Sequence, residues 1–266
     1  MQPKFSVLVV CLNPGDKLNM TLQSIQNQLY KNYEIIIKDG GSTDGSLNLL
    51  QETDSLKIIR KNDTGIYDAM NQAVLESCGE YIYFLNCGDT FADERVLLDV
   101  ARFIEENSAE KGIYYGNIYE RLTGQIVMSN PHLDAFGCYR NVPCHQACFY
   151  ARELLLAHPF ELKYRVRADY EQFLWCFFKG GAETFFCDRL IADYEGGGFS
   201  ETKENKKRSA REHKEVVKLY MSSGQILKYK AILWITLAPL RSRMAQNEKT
   251  AGIYNRMKGM LYKTGK

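Results

Sequence analysis

Phe5-Ser6-Val7-Leu8-Val9-Val10-Cys11 is a continuous apolar run rich in β-branched residues, the mark of a strand covered on both faces. Helical spacing follows it, with Leu18, Leu22, Ile25 and Leu29 recurring through residues 15–29. Tyr33–Lys38 reads as a second buried strand. It runs into the turn-rich Asp39-Gly40-Gly41-Ser42-Thr43-Asp44-Gly45 and then a short helix. Leu56–Arg60 gives a third strand. Ile66–Ser77 gives a helix whose apolar stripe is Ile66, Met70, Ala73 and Val74, and Glu80–Leu85 a fourth strand. Strands alternating with helices through short links predict an α/β fold, a mostly parallel sheet with right-handed crossovers and helices on both faces.

Beyond residue 110 the alternation loosens. Strands are expected at 112–119, 125–129 and 146–151, a helix at 168–179, and two more strands at 184–187 and 190–194. No Pro/Gly/Ser linker separates this part from the first, so residues 1–200 read as one fused body with halves 1–110 and 111–200. Residues 201–266 read as a basic helical extension, with sixteen Lys/Arg against five Glu and no Asp. That segment carries +11 of an overall charge of +2, which leaves −9 on residues 1–200. Such a basic tail suits an anionic surface, a membrane included, but lacks a nucleic-acid-binding motif.

The N-terminal Met1–Lys4 runs directly into the first strand without the pattern of a secretory signal. The eight cysteines form no C-x-x-C pair. Cys144 and Cys148 flank His145, yet no second ligand pair follows at zinc spacing, so reduced thiols are expected. The longest apolar run, Ala231–Leu240, is too short to span a bilayer. These features lead us to expect a cytoplasmic protein, at most peripheral on the inner membrane face.

Ligands of open parallel sheets bind beyond the carboxyl ends of the strands. Here each end is polar or glycine-rich: Leu12-Asn13-Pro14-Gly15, Asp39-Gly40-Gly41-Ser42, Asn62-Asp63-Thr64-Gly65 and Asn86-Cys87-Gly88-Asp89. Glycines there let a backbone approach a ligand, and Gly65 opens a helix whose free N–H groups suit phosphate. Neither a P-loop signature nor a G-x-G-x-x-G after the first strand is present, which counts against an NTPase or a nicotinamide-dependent dehydrogenase.

In this order, the blocks SVLVVCLNPGDKL, YEIIIKDGGSTDGS, NDTGIYDAMNQAVLESCGEYIYFLNCGDTF, CHQACFYARELL, YRVRADYEQFLW and IADYEGGGFS resemble glycosyltransferase family 2. They are most similar to its colanic-acid and exopolysaccharide branch. The resemblance spans residues 5–200 and implies a GT-A fold, with 1–110 the nucleotide-binding half and 111–200 the acceptor half. It also implies inverting transfer of a sugar from a UDP- or GDP-linked donor to a glycan. A glycan joined to a polyprenyl diphosphate at the membrane would account for the basic and apolar character of the tail, whereas packing onto the domain or dimerisation would account for its apolar part alone. Leu12, Asn13, Asp39, Gly65, Asp68, Asn71, Asn86, Gly88 and Asp89 would then bind the donor. Asp169 would be the catalytic base, with Glu171 its nearby rival, and His145, Gln146 and Gly197 would flank the acceptor and diphosphate. The family's metal-binding D-x-D stands here as Asn86-Cys87-Gly88, so only Asp89 is left to hold Mn²⁺ or Mg²⁺.

Residue chemistry alone leaves plainer roles open. Asp39 could be an Asx cap for its turn, Asp68 and Asn71 a solvated helix face, and Asp169 a helix N-cap. Two other readings stand beside the transferase: a nucleotidyltransferase, and a nucleotide-sugar-binding module that has lost its chemistry.

Overall fold

The computed structural model describes residues 2–197 and 202–236. The nine strands are β1 (Phe5–Cys11), β2 (Tyr33–Asp39), β3 (Leu56–Arg60), β4 (Tyr81–Phe84), β5 (Thr90–Phe91), β6 (Gly112–Glu120), β7 (Gln125–Val127), β8 (Cys148–Ala151) and β9 (Glu183–Tyr194). Among the described residues eight α-helices accompany them: α1 (Lys17–Gln26), α2 (Ile66–Glu76), α3 (Val96–Glu106), α4 (Ala135–Arg140), α5 (Arg152–Ala157), α6 (Ala168–Phe178), α7 (Lys203–Tyr220) and α8 (Ser223–Ile235). All nine strands join one sheet in the order β3-β2-β1-β4-β8-β6-β9-β5, with β7 pairing β6.

The four strands β3, β2, β1 and β4 are parallel neighbours. Their apolar runs therefore share one core, and their carboxyl ends share one edge. Register sharpens this: Cys11 pairs with Asp39, so the loops after β1 and β2 leave the sheet side by side. From β4 onward the sheet is mixed. β8 is antiparallel to both β4 and β6, whereas β6 and β9 run parallel. Large aromatic rings fill the junction between the halves, where Tyr83 stacks on Phe149 at 4.4 Å and on Phe91 at 5.0 Å. No loop linker divides the two halves, and their sheet is continuous.

The elements depart from the sequence reading in several places. Residues 44–49 form turns instead of a short helix, because Asp44 accepts hydrogen bonds from Ser46 and closes the chain locally. The two strands expected at 184–187 and 190–194 are one, β9, which crosses a register shift opposite Gly116 to Ile118. α3 was not anticipated. Its Val96, Leu97, Val100, Ala101 and Ile104 are buried at helical spacing. On α2 the buried face is Ala69, Met70, Ala73 and Val74, while Ile66 stands at the helix start and is exposed.

Residues 202–236 of the basic C-terminal segment pack on the rest of the fold. α7 lies on α6, and α8 on α4 through Tyr229, whose ring meets Phe136 and Tyr139 at 5.3 Å each. Among the described residues no helix is long and apolar enough to cross a membrane. The rest of the expected apolar run, from residue 237 on, lies outside the described residues, as do Gly198, Phe199 and Ser200 of the glycine loop.

Candidate functional site

A cleft of about 610 Å³ opens at the shared carboxyl edge of the parallel strands. Of the residues singled out in the sequence, Leu12, Asn13, Asn86, Asp89, His145, Gln146 and Asp169 line it. They come from the loops after β1 and β4, from the single 3-10 turn His145–Ala147 before β8, and from the start of α6. The sheet order makes this meeting necessary, since β8 sits beside β4 and brings His145 over the end of β4.

The loops after β1 and β2 behave as one unit. Asn13 adopts φ +49°, a conformation asparagine tolerates better than most residues. In that pose its N–H donates to Ser42 Oγ at 2.8 Å and its Oδ1 accepts from Thr43 N at 2.8 Å. Asp39 is buried beneath them. Its Oδ1 accepts from Ser42 N at 2.9 Å, Ser42 Oγ at 2.6 Å and Gly41 N at 3.3 Å. Asp39 therefore shapes the loop that Asn13 clasps, and Leu12, 63% exposed, is left facing the cleft.

α2 starts at Gly65, whose φ of +142° belongs to the range that glycine alone adopts freely. Asp68 Oδ2 accepts from Thr64 N at 2.8 Å and Thr64 Oγ1 at 3.0 Å, bonds that hold its pKa below the usual range. Asn71 exchanges two hydrogen bonds with the backbone of Phe160, both 2.9 Å. Gly65 and Asp68 thus line a neighbouring apolar hollow of about 280 Å³, and Asn71 clamps the loop after α5. Two α2 residues line the cleft, Ile66 and Tyr67, and the sequence reading passed over Tyr67 in favour of its polar neighbours.

On the cleft floor, three polar groups form a row. Asn86 Nδ2 is 3.1 Å from His145 Nε2, and His145 Nδ1 is 3.5 Å from Asp169 Oδ2. With Asn86 donating to Nε2, the imidazole proton sits on Nδ1, facing the carboxylate. Asp169 Oδ1 accepts from Tyr170 N at 2.8 Å and lies 3.1 Å from Tyr67 OH, which is also 3.0 Å from Val166 O. Burial opposes ionisation of Asp169, but His145, then Arg167 and the Tyr170 N–H, outweigh it and hold the carboxyl below its ordinary value. Burial, followed by the charge of Asp169, pushes the Tyr67 phenol well above its ordinary value. The cleft thus offers an ionised carboxylate held by His145, Tyr67 and the Tyr170 N–H. Asp169 is in the first turn of α6; the N-cap is Arg167, so the capping role is not its own. Glu171 is buried elsewhere, 3.0 Å from His158 Nε2 and hydrogen-bonded to Tyr220 OH, which removes it as a rival.

Asp89 is buried, and burial is the main reason its pKa is raised. Its Oδ1 accepts from Glu195 N at 2.9 Å and its Oδ2 from Gln146 Nε2 at 3.2 Å. Gly88 has φ +101°, and a Cβ there would come within 2.9 Å of Glu195 Oε2. Gly88 therefore lets the loop after β9 close onto the β4 loop, where Glu195 pairs with Lys17 at 2.7 Å. Gly196 lines the cleft, while Gly197, φ +67°, lies just beyond its walls. Lys17, Tyr67, Arg165 and Glu195 are cleft residues that sequence reasoning missed. Lys17 and Arg165 occupy motif blocks but look like ordinary surface charges until the fold gathers them. Among the described residues no three His, Cys, Asp or Glu come together as a metal cage. The Cys144 thiol bonds Gln146 Oε1 at 2.7 Å, and burial pushes it up to about 12, the profile of a packed thiol and not of a ligand.

Comparison with known proteins places this site in context. The model for "Glycosyl transferase family 2" matches residues 6–156. A "PGL/p-HBAD biosynthesis glycosyltransferase" of Mycobacterium bovis is 35% identical over 207 residues, covering 75% of this chain and 80% of that one. An uncharacterized glycosyltransferase of Mycobacterium tuberculosis is 30% identical over 64% of this chain and 67% of its own. Among solved structures, S. aureus TarS 1–349 in complex with UDP aligns with a TM-score of 0.63 at 18% identity, over 80% of this chain and 65% of that one. The mannosyltransferase PcManGT of Pyrobaculum calidifontis, in complex with GDP-Man and Mn²⁺, aligns with a TM-score of 0.63 at 16% identity, over 99% of this chain and 83% of that one.

Proposed function

Because this chain belongs to glycosyltransferase family 2 and has the GT-A fold of a glycosyltransferase, we propose that it moves a sugar, with inversion, from a UDP- or GDP-sugar to a glycan acceptor. The carrying observation is the row Asn86–His145–Asp169 on the floor of a cleft at the strand ends. Asp169 removes the proton of the acceptor hydroxyl, that oxygen bonds to the anomeric carbon from the face opposite the diphosphate, and the bond to the diphosphate breaks. His145 and Tyr67 hold Asp169 in place, and Asn86 sets the tautomer of His145. Lys17 and Arg165, cations on the cleft wall, counter the charge on the departing nucleoside diphosphate. Leu12 and Asn13 receive the base, on a loop that Asp39 orders.

A divalent cation fits this donor set in a reduced form. Asn86 Oδ1 is buried and has no hydrogen-bond partner among the described residues, and Asp89 lies beside it on the cleft wall. Mg²⁺ and Mn²⁺ need only one or two protein carboxylates when phosphates and waters complete the shell. Asp89 and Asn86 are the residues that would hold such an ion, which neutralises the leaving diphosphate when bound.

The acceptor side of the proposal is a lipid-linked glycan at the inner face of the cell membrane, in cell-surface or exopolysaccharide assembly. α8 supports it. Leu227, Trp234 and Ile235 are exposed on the helix, Trp234 by 79%, and the exposed Lys228 and Lys230 stand among them. Aromatic, aliphatic and basic residues on one helix surface suit an anionic bilayer interface.

The test is a thermal-shift panel of UDP, GDP, dTDP and CMP, with and without Mn²⁺, on wild type and Asp169→Asn. One nucleotide should stabilise both proteins, and Asp169→Asn should lose transfer by about 10²–10⁴-fold. Stabilisation by none of the four would sink the donor site, and normal turnover of the variant would sink the base.

A further inference from the structure

Asp169 faces two cavities. Besides the donor cleft, it lines a second hollow of about 300 Å³, which shares only Cys144 and Asp169 with the first. An in-line displacement needs the acceptor hydroxyl at the base and away from the nucleotide. A hollow that shares the base and little else meets that requirement. Its charge is unusual for a pocket that would take a neutral sugar. The charged groups on its walls are Arg140, Arg167 and Asp169.

Neither arginine meets a carboxylate in an ion pair among the described residues. Arg140 is exposed, with its guanidinium 6.0 Å from the Phe136 ring. Arg167 is aimed by neutral partners: its Nε donates to Ser209 Oγ at 2.7 Å, its Nη1 to Asn141 Oδ1 at 3.0 Å, and it lies over the Tyr170 ring at 5.5 Å. Two guanidiniums lining one hollow favour an anion within it, and their planar forks match phosphate oxygens. Met128, Leu133 and Val142 make the adjoining walls apolar.

We propose that this hollow is the acceptor subsite, and that Arg140 and Arg167 select an acceptor bearing a phosphate ester next to its accepting sugar. The proposal rests on the reading of Asp169 as base. The same phosphate chemistry occurs in a prenyl-phosphate-linked glycoside and in a free sugar phosphate, and the apolar walls suit the hydrocarbon of the first.

The experiment measures transfer from the donor selected by the nucleotide panel to three acceptors of one glycan: a short-chain prenyl phosphate glycoside, the glycan 1-phosphate, and the neutral methyl glycoside. Both phosphate-bearing forms should have a KM at least tenfold below that of the neutral one, and the lower of the two identifies the source. In Arg140→Gln that preference should collapse toward one while nucleotide affinity holds, and Arg140→Lys should restore part of it. Added salt should raise KM for the phosphate forms alone. A wild-type enzyme without preference for phosphate, or an Arg140→Gln variant that keeps the preference, overturns the proposal. Loss of nucleotide stabilisation, or full activity of Asp169→Asn, instead overturns the reading of the donor site and base.

Discussion

His145 decides how Asp169 titrates. Its imidazole is what chiefly offsets the burial of that carboxyl, so Asp169 is ionised throughout the neutral range. A base works only when deprotonated. The rate should therefore be flat in Asp169 ionisation at neutral pH and fall only as pH drops through a value below the ordinary carboxylate range. Replacing His145 with Ala leaves burial less opposed, so the acid limb of kcat should move to higher pH. A kcat–pH profile of His145→Ala with its limb where wild type has it would show that His145 does not tune the base. At this scale the sequence was a fair guide. His145, Gln146 and Asp169 were each singled out by the motifs, and all three line the same cleft. Asp39 was legible as a cap for its turn, whereas Asp68 and Asn71 were legible as polar residues but not as helix and loop fasteners. What separates a ligand contact from a cap is direction, and direction depends on the backbone around it.

Helices supply the next level of control. α2 was read from its period, yet it was the rotation of that helix that brought Tyr67 to Asp169 and turned Asn71 to Phe160. α8 is apolar on both sides: Tyr229 packs on α4, while Leu227, Trp234 and Ile235 face outward. A helix of this kind should bind vesicles. We expect the protein to sediment with vesicles containing anionic phospholipid, less so at high salt, and Trp234→Ser with Leu227→Ser to weaken that binding without shifting the melting temperature. Equal sedimentation of wild type and double variant would remove α8 as the contact. The sequence indicated a basic helical tail with an apolar run. It could not say which of the apolar residues would be used up in packing.

Across the whole molecule, α7 of the C-terminal extension is tied to the backbone that leads into α6. Glu212 of α7 is buried, and its carboxylate accepts from the backbone N–H groups of Arg165, Val166 and Arg167 at 3.1, 3.0 and 2.9 Å. Those residues lead directly into Asp169. Glu212→Ala would leave three N–H groups without their acceptor, and should cost about 2–4 kcal/mol. It should lower kcat as well, because the strand of backbone before the base is released. A melting temperature and kcat both equal to wild type would show that the segment does not support the site.

The apolar runs of β1, β2 and β4 and the polar turns after them determined the parallel half-sheet and its ligand-bearing edge, because buried strands and strand-end loops are written in local residue order. The motif blocks likewise carried the family. Only the tertiary structure decided that Asn86, His145, Tyr67 and Asp169 meet, that Arg140 and Arg167 share a hollow with Asp169, and that Glu212 holds the loop before it. These contacts join residues as much as 102 positions apart. They arise when β8 inserts beside β4 and α7 closes on α6, packing events that no local period or turn encodes.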